Sequence, residues 1–194
     1  MKRVLIEVSE GSADVLEWYD ELSDGYEELY GDEQSRKYTQ VFKELSLRDR
    51  LTSENQVILD LGCGVGGLIR FLRNEFPTIM SSYYVGLDLS PSMCFLSREQ
   101  IDRAGLLGDV VAGDIFRPPF RDRAADTILS ITVLTCRDSL RETILNFKNL
   151  LKSNGLLCCT VLCSESPQIL GGVSDLCEAV TTLSQREILC VTKS

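Results

Sequence analysis

The 194-residue sequence contains no histidine, so it lacks the commonest metal ligand and the commonest general base of enzymes. Hydrolases that depend on histidine and most catalytic zinc sites are therefore excluded, and we predict no metal site. The sequence also lacks any apolar run near the roughly 20 residues that cross a bilayer. The amino terminus reaches Glu7 and Glu10 before any long apolar stretch, unlike a secretory signal. We therefore expect a cytoplasmic protein with no membrane partner.

No two cysteines have the C-x-x-C spacing of redox and zinc motifs, although the chain contains eight of them. Most lie within or beside apolar runs. Disulfides and free thiols are both open, and we favour buried free thiols in a reducing compartment. The eight are Cys63, Cys94, Cys136, Cys158, Cys159, Cys163, Cys177 and Cys190.

Positive charge is scarce near the amino terminus, where no lysine or arginine lies between Arg3 and Arg36. The whole chain has 20 Lys and Arg against 29 Asp and Glu, a net charge of −9. Nucleic-acid binding normally needs a basic surface that displaces counterions, so we expect no strong direct binding to RNA or DNA. We interpret the acidic stretch as a solvated helix face.

The length and composition are those of one folded domain. Hydrophobic residues make up 44% and charged residues 25% of the chain, which allows a sizeable core. We predict a single domain over 1–194, with a helical prefix at 1–54, a core at 55–163 and a short C-terminal helix and strand at 164–194.

Helical spacing dominates the prefix. Ser12 and Asp32 are predicted to cap two helices, the second of which carries Tyr38, Val41 and Phe42 on one face. Tyr26, Tyr30 and Lys37 belong to the same stretch. Aromatic residues at helical spacing are more often core than pocket, and both interpretations are open for these three.

From Gln56 onward, short apolar runs alternate with helix-compatible segments, which predicts parallel strands covered on both faces. Ser90 before Pro91, and Ser139 with Glu142, are predicted helix starts, and Asn154 with Gly155 a helix stop. The fold class is therefore an α/β doubly wound, mostly parallel sheet, whose ligand site lies beyond the carboxyl ends of the strands. The predicted strands are Gln56 to Leu61, Tyr83 to Leu87, Val110 to Ala112, Thr127 to Val133 and Leu156 to Leu162.

The strongest motif is VILDLGCGVGG, in which an apolar strand leads into Asp60 and a turn rich in glycine. Glycines allow a tight turn and a close approach of the backbone to a ligand. This spacing also satisfies the G-x-G-x-x-G dinucleotide fingerprint. Two further carboxylates favour an adenosyl ligand, because Asp88 can accept hydrogen bonds from ribose hydroxyls and Asp114 from an adenine amino group. As structural alternatives, Asp60 and Asp114 support turns and Asp88 caps a strand end.

In this order, LDLGCGVGG, GLDLSPSM, VAGDIF and ADTILSITVLT resemble the motifs of class I S-adenosylmethionine-dependent methyltransferases. The resemblance covers Gln56 to Leu162. The stretch from Trp18 to Tyr38 is similar to the helical prefix of many such enzymes, whose tyrosines often close over the cofactor. The resemblance implies S-adenosylmethionine as cofactor and S-adenosylhomocysteine as product.

The resemblance also implies roles for individual residues. The methionine end is assigned to the glycine turn, the ribose and adenine to the next two strand ends, and the sulfonium side to the fourth strand. In chain order, the implied residues are Tyr26, Asp60, Gly62, Cys63, Gly64, Asp88, Leu89, Asp114, Ile115, Ser130 and Ile131.

The catalytic residue and the methyl acceptor stay unassigned. Enzymes that methylate exocyclic or amide nitrogens of planar groups commonly carry Asn or Asp before Pro-Pro-Tyr after the fourth strand, whereas this chain carries SITVLTC. Cys136 is interpreted as a structural thiol rather than a nucleophile. Five arginines are ordinary loop residues or, alternatively, the rim of a site for an anionic substrate. They are Arg117, Arg121, Arg123, Arg137 and Arg141.

The family usually ends with two more strands after the fifth, the last reversed. Only residues 164–194 remain here, so we expect a helix from Ser174 to Leu183, one strand from Glu187 to Thr192, and a shortened C-terminal end. Some small methyltransferases of RNA and translation factors that resemble this chain are activated by a small zinc-ribbon protein that pairs along a sheet edge. Such a partner is a hypothesis here.

The motifs leave three candidate functions. The preferred hypothesis is a methyltransferase acting on RNA, protein or a small molecule. The alternative is a noncatalytic methyltransferase-like subunit that binds the cofactor or a partner protein. A nicotinamide-dependent oxidoreductase is weaker, because its glycine loop does not normally require Asp60 and no hydride-transfer acid is evident.

Overall fold

A computed structural model describes residues 26–44, 54–135, 139–162, 173–184 and 187–193 of the chain. These residues form an α/β structure around one seven-stranded sheet. In chain order its elements are α1 (Tyr26–Glu44), β1 (Val57–Leu61), α2 (Gly67–Glu75), a 3-10 helix (Pro77–Ser81), β2 (Tyr83–Asp88), α3 (Pro91–Ala104), β3 (Leu107–Ala112), β4 (Ala125–Thr135), α4 (Leu140–Leu150), β5 (Leu151–Leu162), a second 3-10 helix (Ser174–Leu176), β6 (Ala179–Ser184) and β7 (Glu187–Lys193).

The strand order is β3-β2-β1-β4-β5-β7-β6, with β1 to β5 parallel and β7 antiparallel to both β5 and β6. The chain winds from β1 to one edge and then from β4 toward the other, so β1 and β4 flank the switch point of the sheet. Ligands of such sheets bind at this point, beyond the carboxyl ends of the strands. The predicted doubly wound, mostly parallel fold is confirmed.

Helices cover both faces of the sheet. On one face, α1 packs against α2 and β6, and Phe42 contacts the rings of Phe71 and Phe76 at centroid distances of 5.2 and 5.4 Å. On the other face, α4 buries Ile144 and Phe147 completely. Buried apolar side chains on two layers explain why the strands are nearly continuous in hydrophobicity. None of the helices within the described ranges is long and apolar enough to cross a membrane.

Two helix boundaries differ from the prediction. Asp32 does not cap a helix, because α1 already includes Tyr26 and continues through Asp32. The helix α4 ends at Leu150 rather than at Asn154, and Asn154 adopts a left-handed φ of 63° inside β5. Its conformation is that of a helix stop, but it occupies an irregularity in the pairing of β4 with β5. Ser139 precedes α4 without a capping bond from its side chain. The helix predicted at Ser12 lies outside the described residues.

The helix predicted from Ser174 to Leu183 is wrong. Only the short 3-10 helix forms there, and Ala179–Ser184 becomes strand β6 against β7. Three consecutive β-branched residues, Val180, Thr181 and Thr182, favour a strand, and the open edge of β7 supplies its hydrogen bonds. The C-terminal end therefore provides both of the last two strands, and β7 is the reversed one. This corrects the shortened end expected from the sequence.

One pair of cysteines also departs from the prediction of free thiols. Cys177 and Cys190 form a disulfide, with Cα atoms 5.8 Å apart. The approach of the chain before β6 to β7 brings the two cysteines together. The amide of Glu178, the residue after Cys177, donates to the carbonyl of Val191, the residue after Cys190, at 2.8 Å. Cys63, Cys94, Cys158 and Cys159 are buried thiols, as predicted. Cys136 and Cys163 lie outside the described residues.

Candidate functional site

The glycine turn after β1 is fastened to the end of β2. The amides of Gly62 and Cys63 both donate to the Leu87 carbonyl, at 2.7 and 3.1 Å. Gly62 has a φ of 85°, and a Cβ there would overlap the side chain of Val133 on β4. Glycine is required on both grounds, because other residues rarely adopt this φ and no space is left for a side chain.

Asp88, the last residue of β2, connects three strand ends. Its Oδ2 accepts a hydrogen bond from the Gly64 amide at 2.8 Å, and its Oδ1 accepts one from the Ser90 amide at 3.0 Å. Its carbonyl accepts the Gly113 amide at 2.8 Å, which ties the loop after β3 to the same point. Gly64 has a φ of 52° and faces open space. A side chain at position 64 would therefore meet no other atom, and the turn lies beside a fixed carboxylate.

Asp60 lies in β1, just before the glycine turn, and is buried. Its Oδ2 accepts a hydrogen bond from the hydroxyl of Tyr84, a fully buried residue of β2. Burial raises the pKa of Asp60 to about 7, against the lowering effect of the Tyr84 hydrogen bond and with a further rise from the charge of Asp88. A cationic group bound nearby would favour the charged form of this carboxylate.

Asp114, just beyond β3, carries a buried oxygen that lacks a partner. Its Oδ1 accepts a hydrogen bond from the Phe116 amide at 2.9 Å. Its Oδ2 is buried and has no hydrogen-bond partner among the described residues. Buried carboxylate oxygens are normally satisfied, so this atom indicates a place for a donor from a ligand. The cofactor implied by the sequence motifs, whose adenine carries an amino donor, fits this environment.

Comparison with known proteins identifies the family. A family profile described as "Methyltransferase domain" matches residues 59–159, more than half of the chain, and includes the glycine turn, Asp88 and Asp114. This chain belongs to the class I S-adenosylmethionine-dependent methyltransferases. The relationship suggested by the four sequence motifs is confirmed.

Individual relatives of this methyltransferase domain are distant. The protein MJ1252 of Methanocaldococcus jannaschii is 24% identical over 147 residues, covering 76% of this chain and 51% of the relative, so the chain spans about half of that protein's length. Among solved structures, a chain in a complex with the Haloferax volcanii Trm112 methyltransferase activator aligns with a TM-score of 0.60 and 23% identity, covering 74% of this chain and 59% of that one. A SAM-dependent methyltransferase from Aquifex aeolicus aligns with a TM-score of 0.61 and 14% identity, covering 79% and 90%. The two solved structures share the fold.

Four other predicted site residues of the methyltransferase domain, Cys63, Ile115, Ser130 and Ile131, are buried. The side chain of Cys63 is buried against Gly86, and burial raises its thiol pKa well above the ordinary value. Ile115 and Ile131 belong to the core. The Ser130 hydroxyl donates to the Leu61 carbonyl at 2.9 Å. A role in cofactor binding stays a prediction for all of them.

Two predicted residues sit at the borders of the described site. Leu89 is half-buried directly after Asp88. Tyr26 begins the described part of α1, and its side chain lies outside the described residues. The sequence also missed Tyr84, since a tyrosine inside an apolar strand gives no signal that its hydroxyl reaches Asp60.

Four of the five arginines lie within the described residues. Arg141 binds Asp175 through two hydrogen bonds of 2.8 and 3.0 Å, so its guanidinium is already engaged. Arg117, Arg121 and Arg123 are exposed, and Arg137 lies outside the described residues. Within the part of the chain that the structure describes, no group of three acidic or cysteine side chains is arranged to hold a metal.

Proposed function

We propose that this methyltransferase domain binds S-adenosylmethionine across the carboxyl ends of β1, β2 and β3 and transfers its methyl group to an acceptor, leaving S-adenosylhomocysteine. The unpartnered Oδ2 of Asp114 carries this proposal. It lies in a loop fastened to Asp88, which is itself fastened to Gly64. One extended ligand with an adenine amino group, ribose hydroxyls and an ammonium group would meet donors and acceptors at all three strand ends.

In this proposal each carboxylate binds one part of the cofactor. Asp114 accepts from the adenine amino group between Leu89 and Ile115, and Asp88 accepts from the ribose hydroxyls. Asp60 balances the charge of the methionine ammonium, beside the backbone of Gly62, Cys63 and Gly64. Ser130, Ile131 and Tyr26 are proposed to border the sulfonium side.

The methyl donor itself needs no acid-base activation by the protein. S-adenosylmethionine supplies a methyl group that its sulfonium has already activated. The residues around the glycine turn contribute by holding the cofactor in one orientation, and α1 contributes by excluding water from the reacting face. The absence of histidine is compatible with a reaction in which the cofactor supplies the activated methyl group and the protein orients it.

Calorimetry tests cofactor binding directly. We expect S-adenosylhomocysteine to bind and NAD not to bind, and we expect Asp114→Ala to weaken S-adenosylhomocysteine binding by about tenfold, the loss of one charge-assisted hydrogen bond. The exposed loop residue Asp122 provides the matched control, Asp122→Ala, which should bind like the wild type. Preferential binding of NAD would contradict the proposal.

Turnover needs a separate measurement. Tritiated methyl transfer from S-adenosylmethionine into a cell extract sorted into RNA, protein and small molecules should label one fraction. Binding of S-adenosylhomocysteine without any labelling would favour the noncatalytic subunit instead.

A partner protein is part of the proposal. One solved structure of the same fold is in complex with a methyltransferase activator, and this chain offers an edge strand, β3, on which Leu107 is 63% exposed. We propose that a small zinc-ribbon protein pairs along this edge in the cytoplasm. Purification of the untagged protein should yield a second chain. A soluble single chain that methylates its acceptor alone would contradict this partner.

A further inference from the structure

A third buried carboxylate is not used by the proposed cofactor site. Among the described residues, the buried carboxylates are Asp60, Asp114 and Glu187. The first two belong to the proposed cofactor site. Glu187 is the first residue of β7 and is only 3% exposed. A buried charge is costly unless it is paired, so its neighbours and position need an explanation.

The sheet topology places Glu187 on the reacting edge. Because β7 runs antiparallel to β5, Glu187 is opposite Leu162, the last residue of β5. It therefore lies at the carboxyl edge of the parallel strands. Along this edge the proposed cofactor occupies the carboxyl ends of β3, β2 and β1. The carboxyl ends of β4 and β5 and the amino end of β7 follow in that order. Glu187 therefore lies on the same edge, beyond the strands that the proposed cofactor occupies.

Contacts from α1 and β4 hold Glu187 loosely. Lys37 lies 3.3 Å from Glu187 Oε2 and 3.1 Å from Glu33. The Thr132 hydroxyl lies 3.3 Å from Glu187 Oε1 and 3.4 Å from Gln34 Oε1. A hydroxyl has one proton for these two acceptors, and both distances exceed the usual 2.7 to 2.8 Å or so. Glu187 Oε1 can therefore accept a stronger hydrogen bond from a ligand.

Strain in β4 places the Thr132 hydroxyl in this cluster. Thr132 has a φ of 64°, which is unfavourable for a β-branched residue, and lies where the pairing of β4 with β5 is interrupted. Its amide donates to the Thr160 hydroxyl at 2.7 Å, which holds the strained conformation. The next residue, Val133, is the one that packs against Gly62. Such strain is concentrated at functional sites, and this instance lies next to the glycine turn.

We infer that Glu187 is the general base of the acceptor site and that the acceptor is an aliphatic amine. This inference rests on the proposed function. The two carboxylates around Lys37 give the cluster a net negative charge, which attracts an ammonium group rather than a carboxylate or phosphate. A carboxylate within hydrogen-bond reach of an ammonium group can accept its proton.

The step balances without a further reactant. The ammonium nitrogen gives a proton to Glu187, and its lone pair then attacks the methyl carbon of the cofactor. The nitrogen–carbon bond forms while the carbon–sulfur bond breaks, and the electron pair of that bond remains on the sulfur of S-adenosylhomocysteine. The proton leaves Glu187 to water when the N-methylated product departs.

Paired substitutions separate a base from a structural anchor. Glu187→Gln keeps the shape of the side chain, and Lys37→Gln/Glu187→Gln also removes the cation that would be left partly unpaired. Both variants should bind S-adenosylhomocysteine within about twofold of the wild type and lose tritiated methyl transfer into cell extract by roughly 100-fold or more, the usual contribution of a general base. If Glu187 only anchors Lys37, the double variant will recover wild-type transfer, and the inference is wrong.

A matched control lies at the other end of β4. Asp126 pairs with Lys152 at 2.6 Å and accepts the Val57 amide at 2.8 Å, so it belongs to a more exposed ion pair near the start of β4, away from the carboxyl edge. Asp126→Asn should transfer methyl groups like the wild type. The labelled product should withstand alkali and chromatograph as an N-methylamine. Label on oxygen, carbon or sulfur would contradict an amine acceptor. A wild type that binds S-adenosylhomocysteine but labels nothing would contradict the proposed function itself, and the base with it.

Discussion

The Gly64 amide donates a hydrogen bond of 2.8 Å to Oδ2 of Asp88, which joins the turn after β1 to the end of β2. The two residues are 24 positions apart in sequence, so this hydrogen bond joins two separate elements of the fold. Gly64 needs its left-handed φ of 52° to present the amide, and Asp88 needs the Ser90 amide to fix its second oxygen. The carboxylate is thereby oriented before any ligand arrives.

Removal of this carboxylate should abolish cofactor binding. Asp88→Ala deletes the proposed acceptor of the ribose hydroxyls and also frees the Gly64 amide, so we expect at least a 100-fold loss of affinity for S-adenosylhomocysteine by calorimetry. Asp109→Ala is the control, because Asp109 is an exposed carboxylate one strand away that binds Arg98 and Tyr83. Equal affinity of Asp88→Ala and wild type would contradict the site.

Gly62 should be more sensitive to substitution than another glycine of the same backbone geometry. Gly62 and Gly105 have φ angles of 85° and 68°, but a Cβ on Gly105 meets nothing within 4 Å, whereas one on Gly62 overlaps Val133. Gly105→Ala should cost the strain alone, about 1 to 2 kcal/mol of unfolding free energy. Gly62→Ala should cost about 1 to 3 kcal/mol more, because the core must shift.

Urea unfolding measures both variants, and a third one isolates the overlap. The double variant Gly62→Ala/Val133→Ala removes the atoms that collide. Its loss of unfolding free energy should therefore be closer to the sum of two costs, the backbone strain at position 62 and the truncation of the Val133 side chain. If Gly62→Ala and Gly105→Ala destabilise the protein equally, the close packing of the turn against β4 is not real.

Local signals made the centre of the sheet predictable. The strands β1 and β2 are predictable because their apolar residues are adjacent in sequence and lead into Asp60 and Asp88. The start of α3 is predictable because Ser90, just before Pro91, caps the helix with its own hydroxyl, which accepts the Met93 amide at 3.1 Å. The C-terminal end was less predictable. Thr181 and Thr182 form a strand because β7 offers backbone hydrogen bonds. No local sequence pattern indicates that this edge of the sheet is free to pair.

The acceptor side could not be predicted for the same reason. Glu187 follows a polar stretch and resembles a solvated strand end in the sequence. Its burial results from contacts with Lys37 and Thr132, which are 150 and 55 positions away, and from the bulge that turns Thr132 out of the regular ladder. Contacts between residues this far apart produce no periodic pattern in the sequence.

The disulfide should contribute measurably to stability. Cys177 and Cys190 close a loop with a sequence separation of 13, for which chain entropy predicts about 3 kcal/mol. We expect Cys177→Ser to lower the free energy of unfolding by this amount in the absence of reductant. Reductant should bring the wild type to the same stability and leave the variant unchanged. Thiol titration of the unreduced, unfolded protein that counts all eight cysteines would contradict the bond.

Asp60 should make stability fall as the pH rises. Its pKa is raised from 3.8 to about 7 in the folded protein, so between about pH 4 and pH 7 the folded chain retains a proton that the unfolded chain has released. The free energy of unfolding therefore decreases through this range and levels off above it. Other carboxylates titrate there as well, so the informative quantity is the difference between the wild type and Asp60→Asn, which keeps an acceptor for the Tyr84 hydroxyl. That difference should change with pH in this window and stay constant above about pH 8.

The same proton should be released when the cofactor binds. The ammonium group of S-adenosylhomocysteine, placed beside Asp60, favours the carboxylate and lowers its pKa, so binding at pH 6 should release a proton and affinity should rise from pH 5 to pH 8. Calorimetry at pH 6 in two buffers with different ionisation enthalpies measures this proton directly. Asp60→Asn should release none. Equal proton release by the variant would mean that another group titrates, and that Asp60 does not contact the methionine end.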